Sequence, residues 1–269
     1  MTLADVFGWN RAFAAGDIEP AILDLMRRAD ILGHRWGRLA SRLRVASLGE
    51  RLFLHSAYPP RGHGAVFFGP DTYRFADLIA AETPARAPGA VVDIGAGSGA
   101  GGLIAADLWP GARLTLTDLN PAALALARVN AAGRAVTLLE GSGLAGFEGD
   151  IDLALANPPF ITSGGITDAG GRRYRDGGGA FGAEVTLDWT AQVLPRLAAG
   201  GRFILYTGAA IVRGRDPLYE ALQQRAADAG CALRYREIDP DIFGGLLLRP
   251  DYWRVERLAA VGAVFDRPR

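Results

Sequence analysis

The sequence contains a single cysteine, three histidines and no lysine among its 269 residues. The lone thiol, Cys231, cannot form a disulfide within the chain, and no cluster of cysteine and histidine has the spacing of metal ligands. No apolar run approaches the ~20 residues that a membrane-spanning helix needs, and the amino terminus lacks the basic stretch and hydrophobic core of a signal peptide. We therefore expect a soluble cytoplasmic protein with no metal site and no membrane partner.

The chain also lacks a net charge, because 29 arginines balance 29 acidic residues. This balance disfavours a long nucleic-acid footprint. Residues 27–51 are locally basic, and their arginines could either contact phosphates or form a solvated surface, the interpretation that we favour. The arginines of this segment are Arg27, Arg28, Arg35, Arg38, Arg42, Arg44 and Arg51.

With 49% hydrophobic residues, the chain is long enough for one large α/β core and a small accessory unit. Apolar residues recur at helical spacing over residues 20–32, and a hairpin pattern follows, with strands at 43–46 and 51–55. We predict that residues 1–60 form an amino-terminal module for substrate recognition. Residues 61–269 are predicted to form the main domain.

The main domain alternates strands with helices, as expected for a Rossmann-like parallel sheet. A helix is predicted to end near residue 81, after the stretch 66–73. Strands are predicted at about residues 89–94, 113–117, 135–139, 151–156, 202–207, 231–237 and 259–265. Helices are predicted at about residues 99–108, 121–132, 183–198 and 215–229.

A glycine-rich turn directly follows the predicted strand at 89–94 and opens the next helix. Its glycines, Gly95, Gly97 and Gly99, lack side chains that would keep a ligand from the backbone. The free N–H groups at the start of the helix can bind a polar ligand. The turn is therefore a candidate cofactor site.

The same turn also fits a dinucleotide fingerprint. With Ala100 it has the form Gly-x-Gly-x-x-Ala, and Asp118 lies about twenty residues further on, where a ribose-binding acid is expected. A nicotinamide-dependent oxidoreductase is thus a competing interpretation. We disfavour it because the carboxylate of Asp93, just before the turn, would face a pyrophosphate unfavourably, whereas it can hold an ammonium group.

The segment Asn157-Pro158-Pro159-Phe160 ends the apolar run of residues 151–156. It places a side-chain amide, a carbonyl and an aromatic ring at the edge of the sheet where open α/β folds bind ligands. The Asn157 oxygen and the Pro158 carbonyl can each accept one hydrogen of a planar NH2 group, while Phe160 stacks on that group. The segment could otherwise act only as a strand terminator.

Together these motifs resemble those of class I S-adenosylmethionine-dependent methyltransferases. The closest likeness is to the "methyltransferase small" branch, which includes release-factor glutamine methyltransferases and amino-directed nucleic-acid N-methyltransferases. It extends over about residues 65–266. The motifs that carry it are residues 91–99, residues 114–121, the segment 157–160 and the stretch 174–178.

The resemblance implies a seven-stranded methyltransferase sheet with helices on both faces, and S-adenosylmethionine as cofactor. It implies that Asn157, Pro158 and Phe160 are catalytic. The cofactor-binding residues implied are Asp93, Gly95, Ala96, Gly97, Gly99, Asp118, Leu119, Asn120, Ser142 and Asn157. Substrate contacts are expected from Phe68, Tyr73, Tyr174 and Arg175. Many family members have an acidic residue where Ser142 stands, so the adenine contact departs from the pattern.

Two functions of different class remain at this point. The first is N-methylation of a planar amide or amino nitrogen in a protein glutamine, a nucleobase or a small molecule. The second is a methyltransferase fold that binds its cofactor or acts as a scaffold without transfer. The first is favoured because the turn, the acid and the amide are all present. His55 and His63 are weaker candidates for a general base.

Overall fold

A computed structural model describes residues 1–57, 64–82, 84, 86–162 and 176–269. The strands are β1 (Leu32–Arg35), β2 (Arg38–Ser41), β3 (Leu43–Leu48), β4 (Arg51–Ser56), β5 (Ala90–Ile94), β6 (Arg113–Asp118), β7 (Val136–Glu140), β8 (Ile151–Ala156), β9 (Leu197–Ile211), β10 (Ala232–Asp239) and β11 (Arg257–Asp266). The helices are α1 (Pro20–Arg28), α2 (Pro70–Ala81), α3 (Ala100–Leu108), α4 (Pro121–Asn130), the single turn α5 (Gly179–Gly182), α6 (Glu184–Val193) and α7 (Pro217–Asp228).

The main sheet has seven strands in the order β10-β11-β9-β8-β5-β6-β7, which confirms the predicted fold class. Strand β11 runs antiparallel to both of its neighbours, and the central strands are parallel. After β5 the chain continues outward through β6 and β7, then crosses to β8 on the other side of β5. This reversal opens a crevice at the carboxyl ends of β5 and β8, the place where such sheets bind ligands.

Helices cover both faces of this sheet. On one face, Phe75 of α2 and Leu103 of α3 belong to the same buried cluster. On the other face, Trp189 of α6 and Leu222 of α7 belong to a second cluster. None of the helices within the described residues is long and apolar enough to cross a membrane.

The amino-terminal module contains two hairpins, not the single one predicted. The helix predicted at residues 20–32 ends at Arg28, because the chain turns at Asp30 (φ 50°) into β1. Strand β1 pairs with β2 across Trp36 and Gly37, whose φ values of 52° and 73° are those of a tight two-residue hairpin turn. This part of the module has its own small core of Val6, Phe13, Ile18, Leu23 and Met26.

The second hairpin, β3 and β4, packs on the main domain. Phe53 is fully buried in the same cluster as α2 and α3. The Asn130 side chain accepts from Leu54 N (2.8 Å) and donates to Leu54 O (3.0 Å) and Ser98 O (2.9 Å). The Asn130 side chain therefore links the hairpin to the glycine-rich turn by hydrogen bonds.

Two boundaries in the main domain also differ from prediction. The helix predicted at residues 183–198 ends at Val193, because Pro195 lies in a 3-10 turn that leads directly into β9. Strand β9 is 15 residues long, whereas only residues 202–207 were predicted, because it pairs with β11 along Arg202 to Ile211. This antiparallel pairing is a long-range contact with no local sequence signal.

Candidate functional site

A pocket of about 610 Å³ lies at the carboxyl edge of β5, β6 and β8. Among the described residues that line it, the charged side chains are four aspartates: Asp71, Asp93, Asp118 and Asp176. The sequence-predicted residues that line it are Asp93, Gly95, Ala96, Gly97, Asp118, Leu119, Asn120, Ser142, Asn157, Pro158 and Phe160. The structure thus brings both groups of predicted residues, those for a cofactor and those for an acceptor, into one cavity.

The backbone of the glycine-rich turn favours residues without a side chain. Gly95 has a φ of +67°, and a Cβ built there would lie 2.4 Å from the ring of Trp189. Gly97 has a φ of +56°. Gly99 (φ +80°) precedes α3, and its Cβ would press against Ala127 and Leu116 at 3.3 Å. The first two glycines therefore expose backbone to the pocket, and Gly99 allows α3 to pack closely.

Asp118, at the end of β6, is fixed by the backbone around it. Its Oδ2 accepts from Gly97 N and its Oδ1 accepts from Asn120 N, both at 2.8 Å. Burial raises its pKa, while these hydrogen bonds act in the opposite direction. Each carboxylate oxygen keeps a further lone pair, so the group can still accept from two neighbouring hydroxyls.

Asp93, at the end of β5, is only 2% exposed and accepts from Gly102 N at 2.7 Å. Burial raises its pKa to about 7, and the nearby charge of Asp118 acts in the same direction. A cationic ligand group in the pocket would lower this pKa again. The site therefore favours a positively charged ligand.

Leu119 and Ser142 line the side of the pocket formed by β6 and β7. Leu119 is 38% exposed, as expected for a side chain that covers a flat ligand. The turn after β7 is held by hydrogen bonds from Gly141 N to Asp118 O (3.0 Å) and from Thr117 Oγ1 to Gly143 O (2.8 Å). Asn120 caps α4 by accepting from Ala122 N (3.1 Å), as its position predicts.

Asn157 and Pro158 follow β8 on the opposite side of the pocket. Within the described residues, no hydrogen bond engages the Asn157 amide or the Pro158 carbonyl. Phe160 is 8% exposed, and its ring lies against the backbone of β9, where a Cβ on Gly208 would be 2.3 Å from Cδ2. The Phe243 ring lies 6.0 Å from that of Phe160 and also lines the pocket. Two hydrogen-bond acceptors without a partner among the described residues, the oxygens of Asn157 and Pro158, thus belong to residues that line the same pocket as two aromatic rings, Phe160 and Phe243.

Two predicted substrate residues lie elsewhere. Phe68 does not line the pocket; it stacks on His55, with ring centroids 5.1 Å apart, because the hairpin β3–β4 covers it. Tyr73 meets the edge of Phe68 at 5.5 Å. His55 itself is buried outside the pocket, and burial lowers its pKa. The other predicted substrate residues, Tyr174 and Arg175, fall outside the described residues, as does His63.

Several pocket residues were not predicted as site residues. Phe67 takes the place expected for Phe68, one position earlier in the chain. Asp71 follows Pro70 at the start of α2, where an acid is an ordinary helix-start residue. Phe243 lies after β10 in a segment without a regular apolar period, so no sequence pattern marked it. Only the acid at the pocket edge of α2 could have been suspected from the sequence.

A family model, described as the methyltransferase small domain, matches residues 63–173. These residues include the glycine-rich turn, Asp118 and the segment 157–160 that together form the pocket. This part of the chain, less than half of its length, is similar to the methyltransferase small family.

Curated relatives with similar sequences are also methyltransferases. It is 37% identical over 122 residues to the release factor glutamine methyltransferase of Deinococcus radiodurans, which covers 43% of the chain and 44% of that relative. It is 35% identical over 85 residues to the ribosomal RNA large subunit methyltransferase G of Pseudoalteromonas translucida. This match covers 29% of the chain and 22% of that relative. The chain thus spans less than half the length of these relatives.

A solved structure supports the fold. TYW2 of M. jannaschii, in complex with AdoMet, has a TM-score of 0.54 and 14% identity, covering 84% of this chain and 87% of that one. Such a likeness establishes the architecture.

S-adenosylmethionine is the cofactor of the methyltransferase small family, and the residues present fit it. The turn at Gly95 and Gly97 lets the amino-acid part approach the backbone. Asp93 suits its ammonium, and Asp118 suits the two ribose hydroxyls. The carboxylates that line the pocket also suit the net positive charge of this cofactor. No group of acidic, histidine and cysteine side chains among the described residues could hold a metal ion.

Proposed function

We propose that the protein methylates the side-chain amide nitrogen of a glutamine in a protein substrate, with S-adenosylmethionine as the methyl donor. The observation that carries this proposal is that the oxygens of Asn157 and Pro158 have no hydrogen-bond partner among the described residues, and that both residues line the pocket with Phe160. A primary amide is planar and presents two N–H hydrogens. It therefore complements two acceptors and an aromatic wall.

S-adenosylmethionine supplies a methyl group that its sulfonium already activates. Asn157 and Pro158 each accept one hydrogen of the acceptor nitrogen, which directs the nitrogen lone pair out of the amide plane. Phe160 restricts the tilt of the planar group. Such alignment can contribute ~7 kcal/mol or more, so the reaction does not need a dedicated base. Solvent can take the surplus proton after transfer.

The charges favour a protein acceptor over a nucleic acid. In the basic segment 27–51, every arginine except Arg27 engages an acid or an amide or carbonyl oxygen. The partners are Asp24 for Arg28, Asn10 for Arg35, Asp17 for Arg38, Asp30 for Arg42, Gly8 O for Arg44 and Asp107 for Arg51. Four of these arginines, Arg28, Arg38, Arg42 and Arg51, pair with carboxylates, which offsets part of the positive charge of the segment, and the aspartates of the pocket would repel a phosphate backbone.

The similarity to release factor glutamine methyltransferases supports the same acceptor class, and that to ribosomal RNA methyltransferase G makes RNA the alternative to be tested. We further propose that residues 1–60 contribute to acceptor recognition. Trp9 and Trp36 of this module are 73% and 86% exposed, which is unusual for tryptophan unless it meets a partner.

The proposal can be tested by incubating the purified protein with methyl-labelled S-adenosylmethionine and either a bacterial release factor or deproteinised large-subunit ribosomal RNA. We expect label in the release factor, and none when its glutamines are replaced at the labelled site. Label in RNA alone would show that the acceptor is a nucleic acid and not a protein glutamine. If neither acceptor is labelled although S-adenosylhomocysteine binds, the scaffold interpretation gains support.

A further inference from the structure

Asp71 is a buried acid that the reaction described above does not use. It lies in the first turn of α2, is 3% exposed, and lines the pocket. Its Oδ1 accepts a hydrogen bond from the hydroxyl of Tyr206 at 2.7 Å. None of the described residues donates a hydrogen bond to its Oδ2. This oxygen is also not among the fully buried polar atoms that lack a partner, so it is accessible from the pocket.

The charge of Asp71 is only partly compensated. Arg74 approaches Oδ1 at 3.5 Å, but it makes its short contact, 2.6 Å, with Asp239 instead. Arg74 is also about one-third exposed, so water screens it. A carboxylate that is removed from water and weakly paired attracts a cation strongly.

The strand register shows on which side of the pocket Asp71 lies. Strand β8 pairs with β9 in a register that aligns Ala156 with Leu205. The next residues along these parallel strands are Asn157 and Tyr206, so the hydrogen bond from Tyr206 holds Asp71 on the β8–β9 side of the pocket, which Asn157 also lines. Asp118 and Ser142, by contrast, lie on the other side of β5. Asp71 therefore lies on the side of the pocket where the proposed reaction transfers the methyl group.

We propose that Asp71, oriented by Tyr206, is a specificity-determining carboxylate for the positive charge at the methyl-transfer position, and that it makes the protein bind S-adenosylmethionine more tightly than S-adenosylhomocysteine. The two molecules share the adenosine and the amino-acid parts. They differ in the transferred methyl group and the sulfonium charge. After transfer to a neutral nitrogen the positive charge leaves the cofactor, so the used cofactor loses its attraction to Asp71 and is released.

The test compares three ligands by calorimetry: S-adenosylmethionine, S-adenosylhomocysteine and sinefungin, which carries a protonated amine in place of the methylsulfonium. In the wild-type protein the two cations should bind more tightly than S-adenosylhomocysteine. Asp71→Asn should weaken both cations about tenfold, and S-adenosylhomocysteine by less than about twofold, because only the cations lose a charge partner.

Asp118→Ala is the matched control, since the ribose is common to all three ligands. It should weaken all three by the same factor. Tyr206→Phe keeps the carboxylate but removes the hydroxyl that orients it, so it should narrow the preference for cations by about threefold. This second variant also serves if thermal melting shows that Asp71→Asn is unfolded.

Equal weakening of all three ligands by Asp71→Asn would overturn the proposal, because Asp71 would then bind a shared group such as the ammonium of the amino acid. Unchanged affinity for all three would overturn it as well. The proposal rests on the proposed function for the cofactor alone. No acceptor enters the experiment, so failure to methylate a glutamine and failure of this charge preference are separate results.

Discussion

The two sides of the pocket are built in different ways. On the cofactor side, each acid is held by backbone N–H groups close to it in sequence: Asp93 by Gly102, and Asp118 by Gly97 and Asn120. On the acceptor side, the parts come from distant segments, since Phe160 rests on Gly208 and meets Phe243. The acids on the cofactor side are thus already hydrogen-bonded, whereas the oxygens of Asn157 and Pro158 have no partner in the part of the chain that the structure describes.

From this difference we expect cofactor binding and methyl transfer to depend on separate residues. Hydrogen bonds to Gly97 and Asn120 already hold Asp118, the residue that we propose binds the cofactor ribose. In the proposed reaction the Asn157 amide gains its partner only when the acceptor binds, so its contribution belongs to the transfer step. Substitutions on the two sides should therefore affect different measurements.

The largest effect is expected from Asn157→Ala. It should cut turnover by about a hundredfold or more, because the lost oxygen orients the acceptor nitrogen mainly as the methyl group moves. Affinity for S-adenosylmethionine, measured by calorimetry, should change by less than about twofold. Wild-type turnover in this variant would contradict a catalytic role for the segment 157–160 and leave it only the role of ending strand β8.

Asp118→Ala should produce the opposite pattern. Loss of charge-assisted hydrogen bonds to the ribose should weaken both S-adenosylmethionine and S-adenosylhomocysteine by about 1–3 kcal/mol. At saturating cofactor the transfer rate should stay close to that of the wild type. A loss of rate without a loss of cofactor affinity would contradict the division between the two sides.

Gly208→Ala tests the acceptor side through a residue of the sheet that lies against Phe160. The added Cβ would lie 2.3 Å from the Phe160 ring, so the ring must move. Displacement of a group that positions the acceptor should lower the transfer rate by about tenfold or more, while cofactor affinity is retained. Gly111→Ala is the matched control, because a Cβ there meets nothing within 4 Å. Equal methyl-transfer rates for the two variants would contradict a role of Phe160 in positioning the acceptor.

The smallest effect concerns pH. The pKa of Asp93 in the free protein is raised to about 7 by burial, and an ammonium group beside it lowers that pKa. Ligand affinity is therefore fully present above about pH 7 and is lost as the pH falls and protonation competes. We expect S-adenosylhomocysteine to bind about tenfold more weakly at pH 6 than at pH 8, and Asp93→Asn to abolish this dependence.

The same contrast explains what the sequence could predict. The glycine-rich turn, Asp118 and the cap at Asn120 were predictable because their hydrogen bonds join residues within about twenty positions of each other. The contact of Tyr206 with Asp71 joins residues 135 positions apart, and it depends on how β9 and α2 pack. The hairpin β1–β2 was missed because Ile31 and Leu32 continue the apolar period of α1, although Asp30 breaks the helix.

The central claim is that the methyl group is transferred to an amide nitrogen. The most direct measurement is acid hydrolysis of the release factor after labelling with methyl-labelled S-adenosylmethionine, followed by separation of the volatile products. Hydrolysis of an N-methylated glutamine yields glutamate and labelled methylamine, which is the predicted result. Labelled methanol, the product of a methyl ester, or label that stays on a carbon or sulfur atom would contradict the account.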